Sequence, residues 1–257
     1  GEGETLWMDL VAGTHSVEDG KESVNFSFPF SMPGGQVRVE VPFGVVRPDV
    51  DQIPSACKNW FTMGRWADVS NDSYGVTWVS MDAPLVQVGG VTANLLNSHT
   101  DPKVWRREVG ETQTLVSWAM NNHWGTNYRA YQEGPVVFRY LVRPHSGYDA
   151  AVASRFAVPA SQPLLPVRAR GAAPQRESLL RLGAQQLLVT GLKPADDGPG
   201  VIVRIWNAGD EEVVSGLQWR DESAAAIYRS DTSERAGEPV QGKLSVGANE
   251  MVTIRVE

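Results

Sequence analysis

The chain has 257 residues, 42% of them hydrophobic and 21% charged, with a formal net charge of −7. That length carries either two modest domains or one large β domain with a substantial core. The acidic balance argues against nucleic-acid binding, which calls for a basic stripe, and no apolar run approaches the roughly 18 residues that cross a bilayer as a helix.

Gly1-Glu2-Gly3-Glu4 has neither the basic n-region nor the apolar h-region of a signal peptide. Phe26-Ser27-Phe28-Pro29-Phe30 places aromatics at every second position, the pattern of a strand packing its rings inward. Val37-Arg38-Val39-Glu40-Val41 alternates apolar and polar residues, as a half-buried strand does. Cys57 is the only cysteine, so neither an intrachain disulfide nor a cysteine-based metal cluster is open to this chain. It reads as a small core residue, although the adjacent Lys58 could lower a thiol pKa. Asp51, Gln52, Lys58 and Asn59 make a polar loop suited to a ligand or a partner domain.

Asn71-Asp72 before Tyr74-Gly75 is a hairpin signal. Asp68 and Asp72 are also the nearest approach to the paired carboxylates of a sugar-cleaving enzyme. Residues 136–142 read as a strand buried on most of its length, ending near Arg143-Pro144-His145. Asp149 to Arg155 suits a short helix or a turn, and Arg176 to Leu182 is equally ambiguous. Residues 157–166 are too proline-rich for a central strand, and residues 168–175 are basic and aperiodic. Strand patterns then recur to the C-terminus, above all Val201-Ile202-Val203-Arg204-Ile205-Trp206 and Met251-Val252-Thr253-Ile254-Arg255-Val256. Asp196-Asp197-Gly198 reads as a turn rather than a calcium loop, and Asn207 is placed to close its strand through side-chain-to-backbone bonds.

These signals predict an all-β chain: a large antiparallel sandwich over residues 1–165, a linker over 166–180, and a small immunoglobulin-like sandwich over 181–257. Between two of its strands lies the run with most chemistry, from Asn121 through Trp124, Asn127, Tyr128, Arg129 and Gln132 to Glu133. Rings beside amide donors and acceptors suit a sugar, whose C–H face stacks while its hydroxyls bond the amides. The same residues also suit a polar turn with its aromatics packed inward.

This run, with Trp66-Ala67-Asp68-Val69-Ser70-Asn71-Asp72 before it and Phe138-Arg139-Tyr140-Leu141-Val142 after it, resembles the C-terminal β-sandwich region of family 38 glycoside hydrolases, the α-mannosidases. Leu187-Leu188-Val189-Thr190-Gly191-Leu192 and Val203-Arg204-Ile205-Trp206-Asn207 resemble the terminal sandwich of the same enzymes. The resemblance implies a galactose-mutarotase-like supersandwich, partial here, whose loops rim the substrate cleft and which packs on a catalytic α/β domain. It also implies an α-mannoside or related glycan as ligand, with Trp124, Asn127, Tyr128 and Arg129 touching its distal parts and Asn121, Asn122 and Gln132 in support. Zinc and the catalytic nucleophile are implied for an upstream α/β domain. No catalytic residue and no metal ligand is nominated in this chain, whose histidines (His15, His99, His123 and His145) are scattered. Uncovered sheet edges of a partial sandwich would favour association with that domain or between copies. Two other classes stay open: a free-standing carbohydrate-binding module, and a mutarotase or epimerase using His145 or His123 with Glu133.

Overall fold

The computed structural model describes residues 6–12, 22–93, 105–122, 127, 129–162, 164–166, 168, 171, 178–220 and 226–257. The chain divides into two compact units, Gly1–Tyr148 and Asp149–Glu257, each built from two antiparallel sheets around its own core.

The strands of the first unit are β1 (Leu6–Ala12), β2 (Ser23–Pro29), β3 (Gln36–Val41), β4 (Gly44–Val46), β5 (Phe61–Thr62), β6 (Trp66–Ser70), β7 (Gly75–Ser80), β8 (Leu85–Val88), β9 (Thr114–Asn121) and β10 (Val136–His145). They form a six-stranded sheet in the order β1-β10-β7-β6-β3-β4 and a four-stranded sheet in the order β2-β9-β8-β5. The alternation over residues 37–41 directs Val37 and Val39 to the core, where they join Val69, Trp78 and Tyr140 of the same sheet and Phe28, Val86 and Leu115 of the other. Trp78 stacks on Tyr140 with centroids 5.5 Å apart, and Phe28 packs against both rings at 5.1 and 5.0 Å. The buried Tyr140 hydroxyl donates to Ser117 Oγ at 2.9 Å, linking the two sheets. Burial pushes that phenol up to about 12, the bond to Ser117 opposing in part.

β10 is less buried than the strand enclosed on most of its length that its sequence suggests. Its first residues lie beside β1 and alternate, with Val137 exposed and Phe138 buried, whereas Tyr140 and Leu141, where β7 joins on the other side, are both buried. Asn71 closes the β6–β7 hairpin as its sequence signals: its Oδ1 accepts from the N–H groups of Ser73 (2.9 Å) and Tyr74 (3.0 Å).

The second unit contains α1 (Ala150–Ser161), β11 (Leu180–Leu182), β12 (Leu187–Pro194), β13 (Val201–Asn207), β14 (Val213–Trp219), β15 (Ile227–Ser230), β16 (Lys243–Val246) and β17 (Met251–Val256). Its sheets are β12-β13-β17-β15 and β11-β14-β16, enclosing Val203, Ile205, Leu244, Val246 and Ile254. Asp149 caps α1 by accepting from the N–H groups of Ala151 (2.8 Å) and Val152 (3.0 Å), an N-cap that satisfies two orphan donors. The helix continues past Arg155 through the first half of the proline-rich stretch, with Pro159 in its last turn. Arg155 Nε donates to the Gln185 carbonyl at 2.6 Å, and Ala151 packs with Trp206 and Ala208, which ties α1 to this unit.

Arg255 occupies a polar position of the β17 alternation yet is 6% exposed. Its guanidinium donates to Asp197 Oδ1 (2.6 Å), Glu257 Oε1 (2.7 Å) and the carbonyls of Glu234 (2.8 Å) and Pro199 (3.2 Å), which pins the acidic turn. Asn207 is fully buried at the end of β13. Its Nδ2 donates to the carbonyls of Glu211 (2.8 Å), Gly247 (2.9 Å) and Val246 (3.2 Å), and its Oδ1 accepts from Gly209 N–H at 2.9 Å. Asn207→Ala strands several of those groups. We expect it to lower stability by about 2–3 kcal/mol in urea titrations, while an effect under about 0.5 kcal/mol would show the network to be replaceable.

Candidate functional site

Of the loop residues singled out from the sequence, Trp124, Tyr128 and His123 lie outside the described residues. Asn121 ends β9 and pairs with Ser23 of β2. Asn122 is fully buried; its N–H donates to the Glu22 carbonyl (3.0 Å) and its Oδ1 accepts from Glu22 N–H (2.5 Å). That amide fastens the start of β2. Asn127, Arg129 and Gln132 are exposed. The Arg129 guanidinium lies 4.4 Å from the Tyr131 ring centroid, donates to the Tyr131 hydroxyl at 2.8 Å and stands 3.8 Å from Glu133. This cluster is a cation held against an aromatic ring on an open surface, a geometry that can meet a carboxylate or a hydroxylated ligand.

A second cluster sits on the face of the six-stranded sheet opposite the aromatic core. Register places Arg38, Asp68, Thr77 and Arg143 in one row, with Gln36, Ser70, Gly75 and His145 in the next. Asp68 is completely buried; it accepts from Ser70 Oγ (2.6 Å) on one oxygen and from Thr77 Oγ1 (2.9 Å) on the other, which also meets His145 Nε2 at 2.7 Å. Ser70 in turn accepts from Arg38 Nη1 at 2.9 Å, and that guanidinium lies 4.1 Å from the Tyr148 ring centroid. Gly75 makes room for the pairing. A Cβ there would stand 2.5 Å from His145 Cε1 and 2.3 Å from Ser70 Cβ, so only glycine lets the imidazole lean across to Asp68.

The chemistry open to this cluster is narrow. Ser70 bonds the aspartate rather than the imidazole, so the Ser–His contact that activates a nucleophile is absent. Asp72 is exposed in the hairpin turn while Asp68 is enclosed, and the two do not make the facing carboxylates of a glycosidase. His145 and Glu133 are each engaged elsewhere, with Asp68 and near Arg129 respectively. Among the described residues no three His, Cys, Asp or Glu side chains converge, so they do not fit a zinc ion, which takes three or four protein ligands.

In the polar loop after β4, Asp51 is exposed while Lys58 and Asn59 turn inward, 7% and 2% exposed. Lys58 Nζ bonds Asp49 Oδ1 at 2.7 Å, and Asn59 braces the Thr92 carbonyl (2.8 Å) and the Arg106 N–H (3.1 Å). Asp51 is held by Arg47 through Nε (3.0 Å) and Nη2 (2.8 Å).

Asp49 borders a feature the sequence reading did not find. A cleft of about 370 Å³ in the first unit is lined by the Gly34-Gly35 turn, Gln36, Val37, Pro48, Asp49 and residues 109–113. Asp49 takes a left-handed φ of 68°, which aspartate tolerates, and its Oδ2 accepts from the N–H groups of Val109 (2.6 Å) and Gly110 (3.0 Å). Burial pushes that carboxyl up, but Lys58 and the two N–H groups outweigh it and hold it below the usual carboxylate range. Gly35 is required for the turn, since a Cβ would stand 2.8 Å from the Met32 carbonyl oxygen. Three segments far apart in the chain build this cleft. The only local signals were the Pro33-Gly34-Gly35 turn and the polar run after Gly110.

No protein-family model matches the sequence, and no curated protein matches it. Solved structures do match. The crystal structure of an alpha-mannosidase from Enterococcus faecalis V583 superposes on 98% of this chain with a TM-score of 0.70 at 14% identity. A glycosyl hydrolase family 38 protein from Enterococcus faecalis superposes on 98% of it with a TM-score of 0.65 at 12% identity. The match takes in 27% and 28% of those two chains, so this chain spans about a quarter of their length. The likeness is one of fold.

Proposed function

We propose that this chain is the C-terminal, non-catalytic β-sandwich region of an α-mannosidase-like glycoside hydrolase, where it packs on a catalytic α/β domain and shapes the carbohydrate cleft. The observation that carries this reading is the fold likeness over 98% of the chain to about a quarter of an alpha-mannosidase. The exposed Asn127, Arg129 and Gln132 present amide and guanidinium donors that suit a hydroxylated ligand. On this reading Asn127 and Arg129, with Trp124 and Tyr128 from the same loop, meet distal parts of an α-mannoside, with Asn121, Asn122 and Gln132 in support. The zinc and the nucleophile belong to the catalytic domain.

The test is hydrolysis of an aryl α-mannoside by the purified chain with and without added zinc. No turnover in either condition is expected. Zinc-dependent turnover that survives repurification would overturn the proposal, because the metal and a carboxylate pair would then reside in this chain.

A further inference from the structure

We propose that the cleft between the Gly34-Gly35 turn, Asp49 and residues 109–113 is itself a binding site for a neutral pyranose sugar. The proposal stands on the cleft's own side chains and does not depend on the accessory role argued above.

The cleft carries unused hydrogen-bonding capacity. Among the described residues the side chains of Gln36, Glu111 and Gln113 line the cleft and make no hydrogen bond within the protein. Thr112 Oγ1 accepts from Thr114 N–H at 3.2 Å, which leaves its hydroxyl proton for a ligand. Two amides provide donors and acceptors, a carboxylate provides acceptors, and a hydroxyl provides a donor. A ring of vicinal hydroxyls, each donor and acceptor at once, matches that mixture.

The charges of the cleft disfavour an anion and a metal ion alike. An anion would face the Asp49 and Glu111 carboxylates, while Lys58 is buried and already bonded to Asp49. A calcium ion needs six to eight oxygens. Asp49 already accepts from Lys58, Val109 and Gly110, which leaves Glu111 as the one uncommitted carboxylate of the lining. The shape of the cleft suits a single sugar ring. The volume of about 370 Å³ falls at the lower end of small-molecule sites, which run from about 300 to 1,000 Å³. The half-buried Pro48 gives it an apolar patch against which the C–H face of a sugar ring can lie, with the largely buried Val37 and Val109 beside it.

The experiment is a ¹⁵N–¹H NMR titration of the whole chain with methyl α-mannopyranoside, methyl α-glucopyranoside and methyl α-galactopyranoside. Saturable shifts of the Gly34, Gly35, Gly110 and Thr112 amides are expected with at least one of them, at a Kd on the order of millimolar. Gln36→Ala and Glu111→Ala each remove a cleft side chain that carries no internal bond, so both should retain the wild-type spectrum elsewhere and weaken binding about tenfold. The proposal is overturned if none of the three sugars moves those amides. It is equally overturned if the shifts fall on residues 129–133 instead, or if affinity is unchanged in both variants. Each of those results leaves the hydrolysis assay above untouched.

Discussion

Trp78→Ala is expected to lower the stability of the protein by about 3–5 kcal/mol. Trp78 is wholly enclosed, stacked on Tyr140 and packed against Phe28, so it joins the two sheets of the first unit at their centre. Truncation removes the largest apolar group of that core and leaves a cavity that rigid strands on either side cannot close. The loss should appear as a lower urea midpoint, accompanied by a weaker near-ultraviolet circular dichroism signal from the Trp78–Tyr140 pair. A midpoint within about 1 kcal/mol of wild type would mean that the neighbouring rings repack, and that the stacked pair is not what unites the sheets.

Asp68→Ala is expected to cost about 3 kcal/mol or more, for a different reason. Removal of that carboxylate leaves Ser70, Thr77 and His145 facing a buried space with no acceptor. Asp68→Asn should be milder, since its carbonyl oxygen, in the place of the one that meets Thr77 and His145, still accepts two of the three bonds. Thermal unfolding of both variants separates the possibilities. An alanine variant as stable as wild type would show that solvent reaches the cluster and satisfies its donors, whereas an asparagine variant as damaged as the alanine one would point to the carboxylate's charge.

These two predictions also mark what the sequence can and cannot announce. Strand existence was legible wherever a run kept one apolar face, as over residues 201–206 and 251–256, because periodicity of two is a local property. Asn207 and Asn71 were legible too, since both bond backbone within a few residues or sit beside a turn. The likeness to mannosidase structures holds at the level of fold. The Asp68–His145 pair was not legible. Its members are 77 residues apart, and the residue that permits it, Gly75, belongs to neither of them. The cleft escaped for the same reason, with Gln36, Asp49 and Glu111 arriving from three segments that only the register of the sheets brings together. Lys58 and Arg255 misled in the opposite sense. A cation in a polar loop or a strand alternation suggests a surface, yet Lys58 lies inside on the Asp49 carboxylate, and Arg255 on carboxylates and carbonyls.

Antiparallel sheets commonly turn one face to water, so that half of each strand is free to drift. Every residue of β6 and of β7 is buried. Both faces of that hairpin are therefore filtered alike, one by polar pairing among Asp68, Ser70 and Thr77 and the other by aromatic packing around Trp78. Across descendants of this sequence the two strands should change least, and in step with one another, while the exposed Asp72 and Ser73 at the hairpin tip vary freely. The segment that records the ancestry of this chain most faithfully is thus one that has no surface of its own.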